Sequence, residues 1–229
     1  MNELSLFTGA GGGLLGTKLL GWKAIGYVEK EPYCQKVIRQ RIADGILDVA
    51  PIFGDIRKFI SGGYAAAYTG LVDVITGGFP CQAWSNAASG KNNGENMWPE
   101  MLKVIGIVCP TFVFSENVDE NAITMAQKDL ADAGYKTKRC KLSAADVGAD
   151  HFRTRWWLLA HADNKSKLRS KIDAEMGMRE KLCCRVWETY SVESGVDDGV
   201  AGRMERFKAI GNGQVPIVAA SAWRILMDT

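Results

Sequence analysis

Short apolar runs alternate with stretches of helically spaced apolar residues along the first 160 residues of the chain. Hydrophobic residues that recur every three or four positions predict helices, whereas short apolar runs bounded by glycine, proline or aspartate predict buried strands. The predicted strands are 4–7, 22–28, 51–56, 71–76, 111–115, 135–142 and 156–160. The predicted helices are 14–20, a stretch before residue 51, 98–108 and 121–133. This alternation is typical of an α/β fold with a doubly wound, mostly parallel sheet and helices on both faces.

The periodic pattern weakens near residue 163 and returns only near residue 208. Charged residues become frequent in between, and basic side chains stand at alternate positions from Lys165 to Lys171. A glycine-rich break at 211–213 precedes a last apolar stretch that predicts a helix. The chain is therefore divided into a main domain, a small lobe and a returning segment, at 1–162, 163–207 and 208–229.

Composition changes this interpretation little. Hydrophobic residues make up 47% and charged residues 24% of the chain, as is usual in soluble globular proteins. The formal net charge is only +2, so binding to nucleic acid would have to rely on a local basic surface. No apolar run approaches the roughly 20 residues that span a bilayer, and no secretory leader follows Met1. We therefore expect a cytoplasmic protein with no membrane partner.

The six cysteines form no CxxC pair, and the chain has only two histidines, at His151 and His161. Zinc sites combine cysteine and histidine at characteristic spacings that this chain lacks, so we expect no metal. Most of the thiols are interpreted as small buried apolar residues. Cys81 is the exception, because of the loop in which it lies.

A glycine-rich turn at 8–13 separates the first predicted strand from the first predicted helix. Backbone N–H groups at such a helix start bind anions, and Glu29, at the tip of the next strand, could hold two ribose hydroxyls. This pattern indicates an adenosine-containing cofactor without choosing which one. Residues 11–16 also fit GxGxxG, so a dinucleotide remains open, as does a glycine turn without a ligand.

Cys81 follows the predicted strand 71–76, in a loop that begins with two glycines and a proline. A cysteine at a strand end is placed like a nucleophile, although a buried structural cysteine fits equally well. Glu116 follows the next predicted strand, 111–115. Consecutive strands are often neighbours, so Glu116 is expected close to Cys81, as a general acid or as a helix-capping carboxylate.

Seven short motifs occur in the order found in DNA cytosine-5 methyltransferases, which this chain resembles. They lie at 7–12, 29, 54–56, 78–82, 116–118, 153–155 and 211–213. A single motif is weak, whereas the ordered set is highly specific. It covers about 1–160 and 203–229 and leaves the small lobe unmatched. The resemblance implies the Rossmann-like fold of class I S-adenosylmethionine-dependent methyltransferases, with a short target-recognition lobe at 163–207.

The resemblance also implies S-adenosyl-L-methionine as cofactor. The implied cofactor-binding residues are Phe7, Gly9 and Gly11 in the cradle, Glu29 at the ribose, Asp55 and Ile56 at the adenine, Pro80 in the cysteine loop, and Asn212 with Gln214 near the methionine.

Four residues acquire catalytic roles from the resemblance. Cys81 would add to C6 of cytosine, and Glu116 would engage the ring nitrogen and amino group. Arg155 and Arg153 would hold the target base. Since these groups cannot reach a base inside a duplex, the cytosine would have to flip out of double-stranded DNA. We expect a monomeric enzyme of a prokaryotic or phage-infected cell.

Three departures from the family pattern stand out. His151 replaces a common glutamine, Gly213 replaces a common serine, and the recognition lobe is very short. A short lobe suggests short or relaxed sequence specificity.

Three alternatives remain open. A methyltransferase for cytosine in RNA would share the site chemistry. A catalytically silent DNA-binding protein would have no need for Cys81 and Glu116. A dinucleotide-dependent reductase would explain the glycine turn and Glu29, but not Cys81, Glu116 and Arg155 together.

Overall fold

The computed structural model describes residues 1–81, 95–162, 209 and 211–228 of the 229-residue chain. The strands are β1 (Asn2–Leu6), β2 (Lys23–Val28), β3 (Ile52–Phe53), β4 (Val74–Gly78), β5 (Phe112–Asn117), β6 (Tyr135–Leu142) and β7 (Arg155–Ala162). The helices are α1 (Gly12–Leu19), α2 (Pro32–Ala43), α3 (Ile56–Ser61), α4 (Trp98–Val108), α5 (Glu120–Asp132) and α6 (Pro216–Asp228). The predicted lobe at 163–207 lies outside the described residues.

The strands form one sheet in the order β3-β2-β1-β4-β5-β7-β6. The first five are parallel, whereas β7 runs antiparallel to both β5 and β6. The predicted α/β class, with a mostly parallel doubly wound sheet, is therefore confirmed. Because β1 to β5 point the same way, the loops that follow them share one edge of the sheet, where such folds bind ligands.

The central strands are buried on both faces, which is typical of parallel sheets covered by helices. Successive residues of β4 illustrate this alternation, because Ile75 packs into the cluster with α4 and α5 while Val74 packs into the cluster with α6. On the α6 side, Trp223 meets Trp22 edge-on at 4.5 Å and Phe114 at 5.5 Å between ring centroids. Helix α6 is thus fixed to the central sheet by aromatic packing. No described helix is long and apolar enough to cross a membrane.

Helix α1 and the segment before α6 approach each other unusually closely. A Cβ added at Gly12 would lie 2.3 Å from the carbonyl oxygen of Gln214, and one at Gly16 would lie 2.5 Å from that of Pro216. Since backbone atoms cannot move aside as a flexible side chain can, these two positions accept only glycine without a shift of the chain. The glycines of α1 therefore serve helix packing as well as the turn before it.

Most predicted strands differ from the observed ones by one or two residues at an end, and two of them differ by more. The strand predicted at 51–56 is limited to Ile52–Phe53, because Asp55 accepts a hydrogen bond from the backbone N–H of Arg57 and caps α3. The strand predicted at 71–76 is β4, which begins at Val74 and reaches Gly78. Pairing with β1 begins at Glu3 opposite Val74, so the ladder rather than the apolar run sets where β4 begins.

Glu3 is a carboxyl group inside this core, with 1% of its surface exposed. The hydroxyls of Thr17 in α1 and Thr76 in β4 each lie 2.5 Å from one of its oxygens. Burial is the main cause that raises the pKa of Glu3 from 4.5 to about 7, and the two hydroxyl hydrogen bonds oppose it. The folded protein therefore holds this proton at a pH where the unfolded chain has lost it.

We predict that Glu3→Gln removes part of the pH dependence of stability. Because the folded-state pKa is raised, the contribution of Glu3 is fully present below about pH 4.5 and is lost as pH rises through about 7. The loss amounts to at most about 3 kcal/mol in the free energy of unfolding. Urea unfolding at about pH 5 and pH 8 should show a smaller decline for Glu3→Gln than for the wild type.

The matched control is Asp132→Asn, which neutralises an exposed carboxylate at the end of α5 and should keep the wild-type decline. A Glu3→Gln curve parallel to that of the wild type would contradict the assignment.

Candidate active site

The predicted catalytic residues lie on neighbouring strands, or next to them, at the carboxyl edge of the sheet. Gly78 of β4 lies opposite Glu116 of β5, and Glu116 lies opposite Trp157 of β7. Cys81 follows β4, and Arg155 opens β7. Strand pairing therefore brings together three motifs that are separated in sequence, as expected for neighbouring strands.

A cavity opens at this edge between β1, α1, β4, β5 and the segment before α6. Of the predicted cofactor residues, Phe7, Gly9 and Asn212 line it. Glu116 and Gln214 line it as well, so the cavity reaches from the glycine turn to the carboxyl group. Outside this lining lie Gly11, Glu29, Asp55, Ile56 and Pro80.

The glycine turn is held by Glu29. The backbone N–H of Gly9 donates to Oε2 of Glu29 at 2.6 Å, and that of Glu31 donates to Oε1 at 2.7 Å. Gly9 and Gly11 have φ values of +58° and +87°, which favour glycine. Burial raises the pKa of Glu29, whereas the backbone donors lower it. Each carboxylate oxygen retains further acceptor capacity, which ribose hydroxyls could use.

The other predicted cofactor residues have structural partners of their own. Phe7 adopts φ +50°, an uncommon conformation for a bulky residue, at the point where β1 enters the turn. Asp55 lies 3.6 Å from Nζ of Lys30, and Ile56 is buried in the core. Pro80 is exposed, and its carbonyl oxygen accepts from the backbone N–H of Met97. Asp55 and Ile56 follow β3, two strands away from β1.

Cys81 is held inside the edge of the sheet, with 6% of its surface exposed. It forms an antiparallel bridge with Asn96, and the side-chain amide of Asn117 donates to the carbonyl oxygen of Phe79 at 2.9 Å. Burial raises the pKa of the Cys81 thiol, and the charge of Asp119 adds to this. The surroundings therefore favour the neutral thiol over the thiolate.

Glu116 is buried between two donors. Nε of Arg155 lies 2.8 Å from Oε1, and Nε2 of Gln214 donates to Oε2 at 3.2 Å. Burial raises the pKa of Glu116, and the charge of Arg155, the amide of Gln214 and the charge of Arg153 oppose the rise. A carboxyl group whose pKa is raised in a cavity is suited to general acid catalysis.

The two predicted arginines have different partners. Arg155 pairs with Glu116, whereas Nη2 of Arg153 donates to the carbonyl oxygens of Gly211, at 2.7 Å, and Gly213, at 2.5 Å. Arg153 thus fastens the last motif to the start of β7. A contact of either arginine with a target base stays a prediction.

Two contacts in the site were not predicted from the sequence. Asn117 was noted only as part of a motif, yet its side chain fixes the loop before Cys81. Gln214 was predicted beside the cofactor, and the structure also brings it to Glu116, 98 positions away. No periodicity or spacing connects residues so distant, so only the fold could reveal this pair. Among the described residues, no group of three or more histidine, cysteine or acidic side chains could hold a metal ion.

We predict that Arg153→Met loosens the attachment of α6. Two carbonyl groups lose a charged donor, which should lower the free energy of unfolding by about 1–2 kcal/mol. Amide hydrogen exchange within Pro216–Asp228 should become faster. Arg139→Met is the matched control, because Arg139 pairs with Glu120 on the opposite face of the sheet. Unchanged exchange in α6 of Arg153→Met would show that the contact contributes nothing.

The chain matches a known protein family and several curated relatives. The model of the family described as C-5 cytosine-specific DNA methylase matches residues 1–193. The Type II methyltransferase M.CviJI of Paramecium bursaria Chlorella virus IL3A is 28% identical over 69% of this chain. M.AquIA of a Picosynechococcus strain is 29% identical over 71% of it. The chain spans 42% of M.CviJI and 73% of M.AquIA, so it covers less than half of the first relative.

The fold also agrees with that of a solved relative. The S. pombe Dnmt2 methyltransferase superposes with a TM-score of 0.56 at 20% identity, over 73% of this chain and 52% of that protein. At this identity the likeness concerns the fold alone. Because the family model matches residues 1–193 and its ordered motifs meet at one edge of the sheet, the chain belongs to the C-5 cytosine-specific DNA methylase family.

Proposed function

We propose that this protein transfers a methyl group from S-adenosyl-L-methionine to C5 of cytosine in double-stranded DNA, through a covalent bond between Cys81 and C6. One observation carries the proposal most directly. The buried carboxyl group of Glu116, near the end of β5, lines a cavity that also reaches the glycine turn, and Cys81 follows the paired strand β4. Membership in the family supports the same conclusion.

The residues at and beside the cavity suit the proposed cofactor. Gly9 and Gly11 adopt positive φ and bring no side chains into the turn, and Glu29, bonded to the backbone of Gly9, has acceptor capacity for ribose hydroxyls. Asn212 also lines the cavity, and we expect it to contact the amino acid portion of the cofactor. The bound cofactor supplies an electrophilic methyl group on a sulfonium. Asp55 and Ile56 would contact the adenine from the β3 side.

Cys81 and Glu116 share the activation of the base. The thiolate of Cys81 adds to C6 while Glu116 donates its proton to N3, so the electrons of the C5–C6 double bond make C5 nucleophilic. C5 would then take the methyl group as its bond to the sulfonium sulfur breaks, which leaves S-adenosylhomocysteine. Loss of the C5 proton to water, with cleavage of the bond between C6 and sulfur and return of the N3 proton to Glu116, would restore the aromatic ring, the thiolate and the acid. General acid catalysis of this kind typically contributes 10²–10⁴-fold.

Arg155 holds the carboxyl group of Glu116 during this step. Its Nε pairs with Glu116, and its Nη1 donates to the carbonyl oxygen of Thr154. The remaining N–H groups of the guanidinium could meet the carbonyl oxygen of a flipped base. Flipping costs a few kcal/mol, which contacts of the 163–207 lobe with DNA would offset.

We predict that purified protein transfers labelled methyl to C5 of cytosine in duplex DNA and that Cys81→Ser loses at least about 10³-fold of the rate, since the hydroxyl cannot replace the thiolate at neutral pH. Cys109→Ser is the control, because Cys109 is an exposed cysteine after α4. DNA carrying 5-fluorocytosine should trap the wild type covalently, because fluorine blocks the final elimination.

Other outcomes would separate the alternatives. Label on RNA alone would indicate an RNA cytosine-5 methyltransferase. DNA binding without label or trapping would indicate a silent methyltransferase-like protein. Label retained by Cys81→Ser would refute the covalent mechanism.

A further inference from the structure

The side chain of Gln214 occupies a slot that two glycines leave open. A Cβ added at Gly13 would lie 2.3 Å from its Oε1, and one added at Gly78 would lie 3.1 Å from its Nε2. Gly13 belongs to α1 and Gly78 ends β4, so the amide lies where the glycine turn and the cysteine loop come together. The backbone of Gln214 is fixed independently, against Gly12.

The slot directs the amide to the catalytic carboxyl. Nε2 of Gln214 donates to Oε2 of Glu116, while Arg155 pairs with Oε1, so each carboxylate oxygen has its own donor. The added Cβ at Gly78 would also lie 2.8 Å from Oε2 of Glu116. The absence of a side chain at Gly78 therefore allows the contact between carboxyl and amide.

The two partners of Glu116 differ chemically. The guanidinium of Arg155 can only donate hydrogen bonds, so it favours the carboxylate. The amide of Gln214 carries both a donor and an acceptor, and rotation by half a turn would present Oε1 to the O–H of the protonated acid. Gln214 can therefore orient Glu116 before and after the proton leaves.

We propose that Gln214 is a positioning residue for Glu116, whose carboxyl group its amide orients in both protonation states. This inference rests on the proposed function, in which Glu116 is the general acid. Within the family resemblance Gln214 was expected only beside the cofactor, so the role toward the acid is additional. It makes the last motif part of the proton-transfer machinery.

The test is Gln214→Met, which keeps the length of the side chain and removes the amide. Loss of one hydrogen bond to a charged group should lower kcat about tenfold. Because the amide stabilises the carboxylate, the pKa of Glu116 should rise, and its limb of the pH–rate profile should move to higher pH. The affinity for S-adenosylmethionine, measured by calorimetry, should change less than about twofold.

Two further variants complete the experiment: one displaces the amide of Gln214 and the other is a control. Gly13→Ala leaves Gln214 in place but displaces its amide, since the new Cβ meets a flexible side-chain end, and it should shift the pH profile in the same direction. Gln127→Met is the matched control, because it removes a partly buried glutamine amide that donates to Thr137. It should leave kcat and the pH profile unchanged.

An infrared readout does not depend on turnover. The carbonyl stretch of a protonated carboxylic acid, assigned by its loss in Glu116→Gln, should persist to higher pH in Gln214→Met than in the wild type.

Two results would overturn the inference. A pH–rate profile and an infrared titration of Gln214→Met that superpose on those of the wild type would show that the amide does not act on Glu116. A change confined to the affinity for S-adenosylmethionine would make Gln214 a cofactor contact alone. Failure of the proposed function is distinguishable from both, because the wild type would then transfer no methyl group.

Discussion

The close contact between α1 and the segment that leads into α6 determines the geometry of the site. At Gly12 and Gly16 two stretches of backbone approach without room for a side chain between them. The backbone of Gln214, in the segment that leads into α6, is therefore fixed by its packing against α1. Packing of this kind holds a side chain on an irregular segment in a defined position.

Burial acts in the same direction on the two central groups, with different consequences. It raises the pKa of Glu116, which favours proton donation by this carboxyl group, and it raises the pKa of the Cys81 thiol, which disfavours the nucleophilic thiolate. The same desolvation therefore suits the acid and opposes the nucleophile.

The bounds of two elements were predicted correctly, and a proline or glycine lies at or next to the start of each. Trp98–Val108 begins beside Pro99, and Tyr135–Leu142 follows Gly134, so both had the predicted bounds. The neighbouring ends of β4 and β5 followed from the order of strands along the chain. Hydrophobic periodicity could not reveal that β7 inserts antiparallel between β5 and β6, because it contains no information about strand pairing. It also could not locate the start of β4, which depends on its ladder with β1.

The position of Gln214 along the chain has a consequence for biosynthesis. The slot between Gly13 and Gly78 and the rings of Trp22 and Phe114 are synthesised before their partners in 214–223, which follow more than a hundred residues later in the chain. Contacts of such high sequence separation form slowly and leave apolar surface open in the meantime. The contact between the amide of Gln214 and Glu116 would therefore form only after the segment that leads into α6 had docked.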